Sequence, residues 1–244
     1  AATGELRNAG EVLTEPIRDR LRWALEVDTV VHVVTEGDLG AGNATQRAPG
    51  GQLTWRFVAS DVRDFAWAAS QAFIWDAASW QDVLLMSVYP KEGLGTPEQP
   101  GWEESTRYVR HSIAHYSEMW YPYPYPVAIN VAGIVGGMEY PMIVFCSVRA
   151  RGQGLFGVTD HEFGHTWFPM IVGSDERRYA WQDEGFNTFI NYYSNLAFYG
   201  EKAARTQRLQ PDYIVRRMQD SLVHQPIMTY PDQIRPQALG FVAY

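Results

Sequence analysis

Cysteine is nearly missing from this chain of 244 residues: Cys146 is the only one, so no intrachain disulfide can staple the fold. It sits in the apolar run Met142-Ile143-Val144-Phe145-Cys146, which suits a buried, inert thiol. Long apolar runs are missing too. The least polar stretch, Pro126 to Val148, is broken by Asn130, Glu139 and Pro141, so nothing here is expected to span a bilayer. Positive charge is in deficit. A net charge of −8 disfavours nucleic acid and anionic membranes as partners, because both reward clustered Lys and Arg. The opening residues Ala1-Ala2-Thr3-Gly4-Glu5 have neither the basic nor the apolar region of a secretory signal. No internal repeat or low-complexity tract is present. The chain starts without methionine and stops on the apolar run Gly240-Phe241-Val242-Ala243-Tyr244, and both ends are expected to be cuts in a longer protein.

What is present is the content of a soluble globular protein with a sizeable core: 46% hydrophobic and 20% charged residues. The first third reads as β-structure, with short β-branched and aromatic runs at Val30 to Thr35, Leu53 to Ala59 and Asp64 to Ala69. The glycine-rich stretch Gly37 to Gly51 reads as a loop, and Pro16 to Glu26 as an amphipathic helix laid on the sheet. Further on, Asp82 to Tyr89, Val127 to Val131 and Met142 to Val148 read as strands, and Trp102 to Trp120 as a helix ended by the Tyr-Pro alternation. Val158 to Met170, Asp183 to Tyr199 and Glu201 to Leu222 read as helices, the first N-capped by Thr159 and the second closed by Gly200. The class is therefore α+β.

The chemistry concentrates in His161-Glu162-Phe163-Gly164-His165, followed by Glu184 in Trp181-Gln182-Asp183-Glu184-Gly185. Residues four apart share one face of an α-helix, so His161 and His165 can aim at one point. Glu162, rotated about 100° from His161, can reach a water at that point without becoming a ligand. Two imidazoles and a carboxylate are the donor set of a catalytic zinc site, which keeps a further position open. With six histidines in the chain, the five-residue motif alone would arise by accident roughly once in a hundred sequences. The alternative is a helix with two surface histidines. His111 and His115 have the same spacing, but Ser112 stands where a base is needed, and that pair reads as the outer face of an amphipathic helix. Asp160 and Asp183 read as helix-start carboxylates favoured by the macrodipole, without a chemical role. Gly136-Gly137-Met138-Glu139, taken alone, reads equally well as a turn.

In order and spacing, Gly136-Gly137-Met138-Glu139, His161 to His165 and the Trp-x-x-Glu-Gly-Phe setting of Glu184 resemble the aminopeptidase N family of gluzincin zinc metallopeptidases. The resemblance implies the end of an N-terminal β-saddle domain over residues 1–78, then the first part of a thermolysin-like catalytic domain over residues 79–244, truncated at its C-terminal end. It implies one zinc ion held by His161, His165 and Glu184, with Glu162 as the base that takes a proton from water and passes it to the leaving amine. It implies that Glu139 binds the free α-ammonium of a peptide, with Gly136, Gly137 and Met138 beside the substrate backbone. Peptides with a free N-terminus are then the partners. The family has Asn where this chain has Tyr140. Its oxyanion-binding tyrosine lies some sixty residues beyond the third ligand, which falls on Tyr244; a plain core tyrosine is the alternative there. Where the family often has a glutamate supporting a metal ligand, this chain has Asn191, which would accept from an imidazole N–H or stand as a surface residue. Related reactions implied by the same family are a lipid-epoxide hydrolase and a non-catalytic scaffold.

Overall fold

The computed structural model describes residues 1–40, 42–47, 50–201, 212, 215, 216, 219 and 223–244. The expected helix from Glu201 to Leu222 falls mostly outside them. By compactness the chain divides into two units, one of Ala1–Ala114 with Tyr123–Phe163, the other of His115–Pro122 with Gly164–Tyr244.

The first unit is built on a mixed six-stranded sheet. Its strands are β2 (Val31–Val34), β4 (Ile74–Trp80), β5 (Val83–Tyr89), β6 (Val127–Gly133), β7 (Gly137–Tyr140) and β8 (Ile143–Ser147), in the order β2-β4-β5-β6-β8-β7. The β5–β6 and β6–β8 pairs are parallel and the others antiparallel. Two short strands, β1 (Glu5–Leu6) and β3 (Phe57–Val58), pair apart from it. Alternation along β5 and β6 sorts their side chains. Met86, Val88, Val127, Ile129 and Val131 join a core with Val12, Leu13 and Ile17, residues of and beside the short helices α1 (Ala9–Val12) and α2 (Glu15–Trp23). The intervening positions carry polar groups toward α3 (Ser105–Met119) and α4 (Gly152–Gly164). Ser87 donates to Ser105 at 2.9 Å, and Asn130 donates to both Ser105 (3.0 Å) and Thr159 (2.9 Å). These buried bonds pin α4 to the sheet at a set depth, since an amide left unpaired there would cost about 1–3 kcal/mol.

The α+β class is borne out, but several element boundaries differ. Leu53 to Ala59 forms strand only at Phe57–Val58, and Asp64 to Ala69 makes a single bridge, Ala2 to Trp67. Trp55, Phe65 and Trp67 are exposed, so the aromatic signal there marks no sheet face. Conversely β4 has little strand propensity, and its Asp76 is fully buried. That carboxylate is satisfied by the Tyr89 hydroxyl at 2.5 Å and lies 2.6 Å from His32 Nδ1. Residue 78, expected to end an N-terminal domain, lies inside β4. The helix α4 begins at Gly152, six residues before the expected start. Gly152, Gly154 and Gly157 lower its intrinsic propensity, yet Leu155 and Phe156 are fully buried, and that packing decides the outcome. Thr159 and Asp160 therefore lie inside the helix. Thr159 accepts from Asn130 and caps nothing, and Asp160 accepts from Ser112 at 2.7 Å. His111 and His115 are half-buried, the first packed on Phe156 and the second against Tyr116, so neither is on an outer face.

In the second unit, α5 (Phe186–Tyr199) is closed by Gly200 at φ 78° and presents a buried row of Asn187, Asn191, Ser194 and Asn195. The final short helix is α6 (Leu239–Val242). Among the described residues no helix is long and apolar enough to cross a membrane.

Candidate metal centre

Glu162 and Glu139 belong to the sheet unit. Glu139 lies on β7, an edge strand of the sheet, and Glu162 near the end of α4. Glu162 is only 5% exposed, and its carboxylate rests on the β7 backbone: a Cβ added at Gly137 would lie 2.1 Å from Glu162 Oε1 and 3.1 Å from a Val158 methyl. Gly137 thus makes room for a carboxylate of this chain as well as for any approaching backbone. Gly136 has open space around it. Cys146, paired opposite Gly137 in the ladder, is completely buried, and burial with the nearby Glu162 charge pushes its thiol well above the usual range. It is the inert thiol expected.

His165 follows α4 directly and is 1% exposed. The helix cannot continue regularly, because Pro169 excludes Phe168 from the helical region. Phe168 is extended (φ −132°, ψ 110°), and its carbonyl accepts from His165 Nδ1 at 2.9 Å. This bond fixes the tautomer and leaves Nε2 with its lone pair. On the other side, Trp181–Gly185 forms one wide, π-type turn before α5. Its neighbouring acids straddle the imidazole: Glu184 Oε2 lies 3.5 Å from Nε2, and Asp183 Oδ1 lies 3.0 Å from Nδ1. Asp183 is therefore no simple helix-start carboxylate, and this neighbour of His165 was missed because a wide turn and an α-turn read alike in sequence.

Within the second unit His165 and Glu184 offer ligand atoms within 4.8 Å of each other, and within the first unit Glu139 and Glu162 do. The His165–Glu184 spacing tests the fit to zinc. A direct charge-assisted hydrogen bond would be about 2.7–2.9 Å long. Two donors on a tetrahedral zinc, each about 2.0–2.1 Å from it, stand roughly 3.4 Å apart. The observed 3.5 Å suits two ligands sharing one ion.

Asn191 donates to the Tyr116 hydroxyl at 2.8 Å and to Asn187 at 3.3 Å. For His165 the N–H that Asn191 was expected to accept goes to Phe168. Asn187 and Asn191 pack instead on Gly164, where a Cβ would lie 2.0 Å from Asn187 Oδ1 and 3.0 Å from Asn191 Nδ2. Tyr244 lines an apolar cleft of about 520 Å³ with Trp181, Gly185, Phe186 and Phe189. It is brought there because Ala243 O stands 3.2 Å from where a Cβ of Gly185 would be, and Gly185 adjoins Glu184.

No protein-family model matches the chain, and no curated protein matches it. Solved structures match in part. An M1 zinc metallopeptidase from Deinococcus radiodurans is 20% identical over 60% of this chain and 31% of its own, with a TM-score of 0.44. A mutant two-domain M1 zinc metallopeptidase bound to L-tryptophan is 19% identical over 69% of this chain and 38% of its own, with a TM-score of 0.49. A Deinococcus radiodurans M1 zinc metallopeptidase mutant bound to a Tyr-Ser-Ala substrate is 19% identical over 70% of this chain and 38% of its own, with a TM-score of 0.48. The chain thus spans between 31% and 38% of the length of these structures.

Proposed function

We propose that this chain carries the centre of a zinc-dependent aminopeptidase, within a β-domain followed by a thermolysin-like catalytic domain. The observation that carries the reading is the state of His165: Nδ1 bonded to a carbonyl, and Nε2 at ligand-sharing distance from Glu184. His161, one helical turn earlier in sequence, would complete the donor set. When bound, the ion would polarise the scissile carbonyl and acidify the attacking water.

The remaining steps belong to side chains of this protein. Glu162, nearly excluded from solvent, takes the proton of the attacking water and returns it to the departing amine. Glu139 accepts the substrate's α-ammonium. An anchor so close to the scissile bond restricts cleavage to the first peptide bond, and a blocked N-terminus would leave the carboxylate unpaired. Met138 and the open Gly136 flank the substrate backbone on the same strand. The Tyr244 hydroxyl donates to the oxyanion as it develops. Asn191 supports the centre through Gly164, at the turn that carries His165.

The test pairs metal content with turnover. The zinc-replete wild type is expected to hold one zinc per chain and to hydrolyse aminoacyl arylamides. Glu162→Gln is expected to keep the zinc and to lose about a hundredfold or more in kcat. A metal-free wild type after zinc loading, or a Glu162→Gln variant that turns over normally, would overturn the reading.

A further inference from the structure

We propose that Asp183 is a positioning residue for His165, holding the imidazole so that Nε2 faces the metal and strengthening its grip once the ion is bound. The proposal rests on the metal reading above and concerns a residue outside the ligand set. Asp183 Oδ1 is 3.0 Å from His165 Nδ1, and this oxygen is buried without a hydrogen-bond donor of its own. The Nδ1 hydrogen points instead at the Phe168 carbonyl, 2.9 Å away. The protonated edge of the ring therefore faces two oxygens, one of them anionic. That edge cannot rotate toward the metal without carrying the lone pair of Nε2 against both oxygens.

A buried carboxylate oxygen with no donor is unfavourable by about 1–3 kcal/mol or more, and a site keeps one only when something offsets it. Among the described residues no basic side chain other than His165 lies within ion-pair distance of Asp183. A cation at Nε2 supplies the offset. It draws electron density through the ring, makes the Nδ1–H edge more positive, and turns an idle contact into an attractive one. From the π-type turn at Trp181–Gly185, adjacent residues reach opposite nitrogens of one ring. Asp183 touches neither substrate nor metal in this arrangement and acts only through His165.

Zinc affinity of the full chain, measured by chelator competition, tests the proposal, with the melting temperature of the metal-free protein as a second readout. Asp183→Ala is expected to weaken zinc binding by about 10–100-fold while the metal-free melting temperature stays the same or rises. Asp183→Asn, which retains an acceptor but loses the charge, is expected to fall between Asp183→Ala and wild type. It also serves if the alanine variant fails to fold. In zinc-loaded wild type the His165 Nδ1 proton is expected to resonate downfield of its position in Asp183→Asn. A purely structural role would lower metal-free stability together with affinity and leave that resonance in place. Affinities of both variants within twofold of wild type would overturn the proposal while leaving the zinc site intact. A wild type that binds no zinc would overturn the metal reading and this proposal with it.

Discussion

Glu162 and Gly137 are in contact across the edge of the sheet, with no room for a Cβ between the carboxylate and the strand: one built on residue 137 stands 2.1 Å from Oε1. The glycine therefore sets where the Glu162 carboxylate, the proposed base, sits. Gly137→Ala is expected to shift the carboxylate slightly, because a flexible side-chain end can give way. Gly137→Val also collides with the Val158 methyl, 3.1 Å from the first added carbon. A base displaced by about 1 Å can cost up to a hundredfold in rate. The valine variant is thus expected to lose at least about tenfold in kcat with zinc content unchanged, and the alanine variant less. Steady-state kinetics beside metal analysis checks this, and a valine variant with normal kcat would show that Glu162 needs no such seat.

Glu139→Ala tests the proposed anchor separately from the proposed zinc site. Removing one partner of a desolvated charge pair typically costs about 2–5 kcal/mol, so kcat/KM for free-amine substrates is expected to fall by about a hundredfold or more. Zinc affinity should be affected far less. N-acetylated peptides provide the opposite control: the wild type should hardly cleave them, and the variant should discriminate less between blocked and free termini. Equal cleavage of both by wild type would remove Glu139 from the role.

The parts of the centre that could be read from sequence are those set by helical period. Residues four apart, such as His161 and His165, can share a helix face because 3.6 residues make a turn, and no tertiary information is needed to expect it. Motif spacing also reaches Glu184, but not the closeness of its neighbour Asp183 to His165, which no spacing announces. The start of α4 was hidden by three glycines whose poor propensity is overridden by buried Leu155 and Phe156. In β4 the fully buried Asp76 is held by the Tyr89 hydroxyl, a contact that sequence pattern alone does not give. Each of these misreadings has the same origin: a local preference outweighed by a contact distant in sequence.

Tyr244→Phe removes one hydroxyl from the cleft beside Gly185 and leaves the apolar lining unchanged. As the oxyanion donor, its loss is expected to lower kcat by about a hundredfold or more, with KM and zinc content little altered. Tyr244 is exposed and is not the core tyrosine that the sequence also allowed, so without the oxyanion role its loss would leave kcat near normal. Steady-state kinetics distinguish the two outcomes.

Gly164 and Asn187 are matched to each other, and the match can be measured. A Cβ at residue 164 would stand 2.0 Å from Asn187 Oδ1 and 3.1 Å from its carboxamide carbon, in a region where Asn187 is fully buried. Asn187 has one carbon between its amide and the backbone, so it cannot swing clear as a longer side chain would. Gly164→Ala is therefore expected to destabilise the protein by about 1–3 kcal/mol through overpacking, despite alanine's better helix propensity. Because His165 is the next residue, zinc affinity is expected to fall as well. Asn187→Ala should accept the new methyl group, so the double variant should recover stability relative to Gly164→Ala alone. The expected coupling in the double-mutant cycle is at least about 1 kcal/mol, well beyond the few tenths seen for independent sites. Denaturant unfolding of the four proteins checks this. Additive effects would mean that α5 does not press on the turn bearing His165, and would withdraw the supporting role given to the asparagine row.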